Sequence, residues 1–428
     1  MQSQLATIQM RIFSVAIASM LMLSGWCQAA EWYCDPVHGS PSGDGTKARP
    51  WGGFGEVVAA RTVGPTIKSG DTVFLMNGQH GNVTLYPKFG TVKNTSHITV
   101  QALPGHKPLI SQLAVREAAF WTFREITFAF DQPLPKFAPL VKIEADDIVF
   151  ERNTIYTVED ASKWSPEDWA AKSITGMFYD GNRCVIRDNT IKNVRHGVYF
   201  GGDSIEVTGN TLEQFADDGL RFSGSNITIR NNSITDNYCL LSDKNHNDGI
   251  QGWNLTKADM ENVVIDSNTI IASTGKYPNL PLIRSGVDSQ VLQGIVIFDG
   301  GWKNVSATNN IVITSAYHGI SFYGVDGLKI SNNTVITSCS TPKIQAWIGV
   351  FNRKNGTPSK SVVVRDNIAA RFSLAGDVKA TNNLSLIPSK GHAPVDPSKI
   401  FKVWKPSENI FDLTVINSGS HGEIGAKR

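Results

Sequence analysis

Asn153, Asn189, Asn210, Asn232, Asn268, Asn310, Asn333, Asn367 and Asn383 each stand before or inside a short run such as Asn-Thr-Ile, with β-branched residues just upstream. The units read Phe150-Glu-Arg-Asn-Thr-Ile, Val185-Ile-Arg-Asp-Asn-Thr-Ile, Val207-Thr-Gly-Asn-Thr-Leu and Ile330-Ser-Asn-Asn-Thr-Val, among others. A period drifting between about 20 and 45 residues, with strand-like alternation on both sides of one turn residue, is the pattern of a parallel β-solenoid with loops of variable length. Each unit makes one coil. Asparagine suits the turn because it tolerates left-handed backbone angles and its amide can bond the turn and the next asparagine stacked above. The asparagines are therefore structural, and the expected fold is all-β: a right-handed parallel β-helix carrying an asparagine ladder.

A solenoid grows in one dimension, so 428 residues need only one domain. Lys and Arg number 40 against 38 Asp and Glu, which excludes the cationic face of a nucleic-acid binder. Arg11, the apolar run from Ile12 to Leu23 and the small-residue stretch Cys27-Gln-Ala-Ala match a secretory signal peptide, so a secreted or periplasmic protein is expected, with no membrane partner after cleavage. The mature chain keeps Cys34, Cys184, Cys239 and Cys339. Cys239 and Cys339 follow ladder residues three coils apart, roughly 14 Å at about 4.8 Å per strand, beyond disulfide reach. Free buried thiols are expected instead.

The expected organisation is a leader over 1–30, an N-terminal cap over 31–66 with a short helix after Pro50, coils over 67–385 and a C-terminal cap over 386–428. Caps are needed because the end strands of a solenoid leave backbone groups unpaired. Two insertions break the rhythm, 156–176 and 272–292. In the first, Ser165 followed by Pro166 predicts a capped helix. The second holds Lys276, Tyr277 and Arg284. A monomer is expected.

A second repeat runs beside the asparagines: His196-Gly-Val-Tyr-Phe, Asp218-Gly-Leu-Arg-Phe, Asp248-Gly-Ile-Gln-Gly, Gln293-Gly-Ile-Val-Ile and His318-Gly-Ile-Ser-Phe. The residue after each glycine is aliphatic and points into the core, so the next one points out. The outward column reads Tyr199, Arg221, Gln251, Val296, Ser321, and the residues before glycine form another column. The middle coils concentrate Arg195, His196, Tyr199, Asp217, Asp218, Arg221, Lys244, His246, Asp248 and Gln251, the types that move protons, bind cations and grip carboxylates. Asp218 and Asp248 fall on neighbouring coils, about 5 Å apart by strand spacing. They could serve as the acid pair of a retaining glycosidase, or hold Ca²⁺ together with Asp217 or Asp243.

On these motifs the chain resembles the pectate-lyase-like superfamily of exported right-handed parallel β-helices, which includes polysaccharide lyases, C5-epimerases and polygalacturonases. Arg195-His-Gly is similar to the Arg-His-Gly of the alginate lyase and chondroitinase B family, and Lys244-Asn-His-Asn-Asp is similar in flavour to the Asp-Pro-His-Asp loop of the epimerases. The resemblance implies a polysaccharide substrate lying across an outer sheet midway along the helix. It implies β-elimination on a uronate polymer, with hydrolysis or C5-epimerisation as alternatives and a non-catalytic adhesin or tailspike-like role as a third. Elimination needs a group that neutralises the carboxylate, a base for the C5 proton and an acid for the departing oxygen. Arg221, with Lys244 or a cation, would supply the first. His246 would be the base, and Tyr199 or His196 the acid. Arg195, Gln251, Trp253, Gln293, His318 and Tyr277 would bind substrate, and Trp164 and Trp169 are further stacking candidates.

Overall fold

The computed structural model describes residues 29–86, 94–130, 138–238, 246–254, 256, 258–277, 292–314, 316–337, 345–387, 395–405, 410–416 and 423–427. Residues 1–28 of the expected leader lie outside them, as do Cys239, Asp243, Lys244, Arg284 and Cys339. Among the described residues no helix is long and apolar enough to cross a membrane.

Alternation is what folds the chain. In Ile98–Ala102 every second side chain is buried, and Trp121–Arg124 pairs with it in parallel one coil later. Between the two, the chain passes through Pro108–Ile110 and Gln112–Arg116. Repetition of this three-strand turn builds a parallel β-helix with three faces. Among the described residues twelve strands stack on the second face. The first and third faces merge into a 22-stranded sheet, because Val198–Thr208 and Leu220–Arg230 each run round the corner between them. The inward columns of Ile, Val, Leu and Phe form one continuous core.

The corner between the first and second faces carries the asparagine ladder. Asn232 Nδ2 donates to Val207 O and Asn268 Oδ1, both at 2.9 Å, while its Oδ1 accepts from Asn210 N and Nδ2 at 3.0 Å. The pattern runs from Asn189 to Asn383, with Asn153 joined through its backbone N–H. One expectation is corrected here. The left-handed residue is the one before each ladder asparagine, as in Arg152 (φ 52°), Asp188 (φ 55°), Asn231 (φ 56°) and Asp366 (φ 58°). The predecessor takes the reversal so that the amide can turn inward and stack.

The corner between the second and third faces carries the glycines of the other repeat. A Cβ on Gly219 would lie 2.7 Å from Gly249 O and 2.8 Å from Ile234 Cγ2. On Gly197 it would lie 2.3 Å from Leu212 Cδ2, and on Gly294 2.0 Å from Gly319 O. Only a residue without a side chain fits between the stacked coils there. The consequence for the site is direct: the glycine and the residue after it both face inward, so the residues one before and two after it both face outward.

The insertion at 156–176 forms the helix Pro166–Lys172 with Ser165 and Asp168 in a reciprocal capping box, and the N-terminal region holds the helix Phe54–Ala59. In the stretch read as the C-terminal cap, Phe401–Lys405 and Ile410–Val415 pair antiparallel, and Phe401 and Leu413 pack with Ile313, Ile336 and Ile368 of the second face. Cys34 and Cys184 are buried free thiols.

Candidate functional site

The register places the third-face columns as the repeat requires: Tyr199 pairs with Arg221, Arg221 with Gln251, Gln251 with Val296 and Val296 with Ser321. Asp248 pairs with Gln293. Because each glycine turns two neighbours outward, every coil presents a pair three residues apart, and three of these pairs are bonded. Arg221 Nη1 reaches Asp218 Oδ2 at 3.4 Å, Gln251 Nε2 reaches Asp248 Oδ2 at 2.5 Å, and His318 Nδ1 lies 2.9 Å from Ser321 Oγ. The coils are also tied to each other, since Asp248 N donates to Asp218 Oδ1 at 3.0 Å.

Burial divides the cluster by charge. The side chains of Asp217 and Asp218 are 3% and 2% exposed, whereas Arg221 and His196 keep 23% and 20%. Asp248 has no exposed surface, and Tyr199 and Trp253 are half-buried. The acids lie beneath together with Arg195, and Arg221 and His196 meet solvent. Arg221 is held by more than Asp218: its guanidinium carbon lies 4.2 Å from the centroid of the Trp253 ring and 5.5 Å from that of Tyr199. Tyr199 in turn stacks on Phe178, ring centroids 5.5 Å apart.

Removal from water disfavours the ionised carboxylates. Burial first, and then the adjacent Asp217 charge, pushes Asp218 up to about 7 against the pull of Arg221. Burial and then the charge of Asp218 hold Asp248 well above the usual carboxylate range. Asp217 lies between Arg195 Nη2 at 3.6 Å and His196 Nε2 at 3.4 Å. Arg195 is itself buried, so it braces Asp217 and is not placed to meet a ligand directly.

Other expected site residues are distributed differently. His246 is exposed and sits over the next coils, with Nδ1 3.4 Å from Gln293 Nε2. Gln251, Gln293 and His318 are buried beneath the surface of the site. Tyr277 is engaged on the neighbouring face, donating to Glu213 at 2.5 Å and packing against Trp169 and Tyr238. Trp169 is buried and stacked on Tyr238, so it closes the insertion, with Trp164 packed edge-on against it.

The expected calcium set of Asp217, Asp218 and Asp248 is also regrouped. Ligand atoms of His196, Asp217 and Asp218 lie within 4.8 Å of one another, an arrangement that could hold a metal ion. It does not fit calcium, which takes six to eight oxygens. One donor is an imidazole nitrogen, Asp248 stands outside the trio, and Arg195 and Arg221 already face two of the carboxylates.

Sequence reading named Trp253 but missed Phe178 and the aromatic column that Trp253 begins. Trp253, Phe298 and Tyr323 each stand four residues after a motif glycine, Gly249, Gly294 and Gly319. That spacing was a legible signal for outward rings on successive coils.

Residues 175–335 match the family model for the right-handed β-helix region, which gives the coil its hand. No curated protein matches the chain. Among solved structures, it is similar to XylC in complex with xylose, with 11% identity, TM-score 0.49, and coverage of 76% of this chain and 70% of that one. It is similar to a rhamnogalacturonan lyase, with 13% identity, TM-score 0.47, and coverage of 93% and 100%. It is likewise similar to the A-module of the Azotobacter vinelandii mannuronan C-5 epimerase AlgE6, with 13% identity, TM-score 0.47, and coverage of 74% and 91%. The chemistry below rests on this chain's own residues.

Proposed function

We propose that the protein is an exported carbohydrate-active enzyme that cleaves a uronate-containing polysaccharide by β-elimination at the third face. The observation that carries this reading is the sorting of charge by depth. Arg221 stands partly exposed between two ring faces, while Asp217, Asp218 and Asp248 are buried. A negative substrate meets the guanidinium and not the carboxylates.

In this reading Arg221 grips the uronate carboxylate and stabilises the charge that builds on it as the C5 proton leaves. Register puts Tyr199 one coil to one side of Arg221, while His246 lies toward the opposite side beside Gln293. Proton removal and proton delivery can therefore come from separate groups flanking the cation. His246 takes the proton from C5, the C–H electron pair becomes the C4–C5 double bond, and the C4–O bond breaks. Tyr199 or His196 protonates the departing oxygen. Neither water nor an oxidant is consumed.

A second reading, hydrolysis by Asp218 and Asp248 as an acid pair, is favoured by their raised, mutually dependent protonation on adjacent coils. Incubation with a panel of uronate and neutral polysaccharides separates the two. Ultraviolet absorbance of an unsaturated uronate supports elimination, and reducing ends without that absorbance support hydrolysis. Solvent deuterium entering C5 without cleavage would indicate epimerisation.

A further inference from the structure

The third face carries a row of rings that extends from Trp253 away from the coil of Arg221. Gly252 pairs with Ile297, and Ile297 with Phe322. The next residue in each strand faces outward, which aligns Trp253, Phe298 and Tyr323, and Tyr323 pairs in turn with Phe351. Phe298 and Tyr323 have ring centroids 5.3 Å apart, and Tyr323 and Phe351 stack at 4.8 Å. The row spans three coil spacings, roughly 14 Å, and begins at the ring on which Arg221 stacks.

Stacked phenylalanines of the interior, such as Phe200 and Phe222, are wholly buried. These outer rings are partly exposed. The row itself bears no charge. Beside it His318 is buried among Phe298, Tyr317 and Trp347, where loss of hydration lowers its pKa to about 4 and keeps it neutral. Of the nearby charges, Arg353 donates to Gly324 O, Lys354 faces Asp299 and His246 stands close to His318. On the other side of Arg221 the outward column instead leads through Tyr199 and Phe178 to Lys142.

We infer that Trp253, Phe298, Tyr323 and Phe351 form a sugar-stacking subsite for uncharged pyranose units, so the substrate is a heteropolysaccharide with an acidic unit at Arg221 and neutral units toward the C-terminal coils. This rests on the uronate reading for the Arg221 position alone. The flat apolar face of a pyranose matches an aromatic ring, and among the described residues the row itself holds no cation for an acidic unit. Continuity with the cation site makes one glycan chain the occupant of both.

The test titrates the full chain with neutral xylo-, manno-, galacto- and cello-oligosaccharides and with oligouronates, following tryptophan fluorescence. At least one neutral series should bind, about tenfold more weakly to Tyr323→Ala and with little change in Arg221→Ala. Tyr323→Leu, which keeps apolar volume without a flat ring, should show the same loss while melting like the wild type. On a mixed acidic and neutral polymer, Tyr323→Leu should raise KM more than it lowers kcat. Absence of neutral binding, or binding indifferent to Tyr323, overturns the subsite even if polyuronates are cleaved by elimination. Tyr323-dependent neutral binding without any elimination leaves the subsite standing and removes the uronate reading.

Discussion

Gln251 donates from Nε2 to Asp248 Oδ2 across 2.5 Å, one coil along from the Arg221–Asp218 pair. Both contacts join residues three apart in sequence that flank a glycine. They exist because that glycine faces the core, which lets its predecessor and the residue two further on share the outer face. The cation of the site is thereby anchored by a buried acid, and that acid is tied to the next coil through Asp248 N.

Arg221→Ala should lower elimination by about 10²- to 10³-fold, the usual loss when one charge-stabilising donor is removed. Arg221→Lys should recover little, since a point charge cannot reproduce a planar fork held between two rings. His246→Ala should cost about 10²- to 10⁴-fold in turnover with an unchanged melting temperature, because His246 is exposed. Initial rates by product absorbance and thermal melts check all three, and full activity in either alanine variant would remove its residue from the mechanism.

Asp218 and Asp248 titrate above the range of an unfolded aspartate. The native state therefore keeps protons that the unfolded chain has released. The contribution of Asp218 to stability is complete below the unfolded value near 3.8 and is lost as pH rises through about 7, and that of Asp248 is lost in the same direction. Relative to Asp218→Asn, the wild type should lose melting temperature from about pH 4 up through about pH 7. His318, whose folded pKa is lowered, acts in the opposite sense below its ordinary value but is common to both proteins. Parallel melting curves would contradict the assignment.

Asn232→Ala removes the ladder bonds to Val207 and Asn268 and leaves the backbone N–H of Asn210 without its acceptor. A cost of about 1–3 kcal/mol is expected from the buried partners left unpaired. Denaturant unfolding measures it, and a neutral substitution would mean that the ladder is not under load at that coil.

Gly219→Ala places a methyl group 2.7 Å from Gly249 O and 2.8 Å from Ile234 Cγ2. Since the first contact is backbone, the coils must separate locally, at about 1–3 kcal/mol for overpacking. Spreading the corner should also disturb the Asp218–Arg221 pair, so activity should fall along with stability. A fully stable and active variant would show that the glycine column is not what sets the geometry of the third face.

The coil and its two corner columns follow from the order of residues along the chain. Alternation fixes which side chains face inward, and a ladder asparagine or a motif glycine in each coil marks where the chain turns, because both depend only on neighbours within a few residues. The same order also identified Tyr199, Arg221 and Gln251 as outward and adjacent, since strands stack in register. Tertiary structure alone decided depth. Whether Asp217, Asp218 and Asp248 meet water depends on what neighbouring coils lay over them, and it is stacking that buries the acids and leaves Arg221 partly exposed. The same holds for Tyr277 and Trp169, whose rings look available in sequence but are used to pack an insertion. Trp253, Phe298 and Tyr323 were legible from their common distance to a motif glycine, but Phe351 has no such glycine before it, and only its register with Tyr323 adds it to the row.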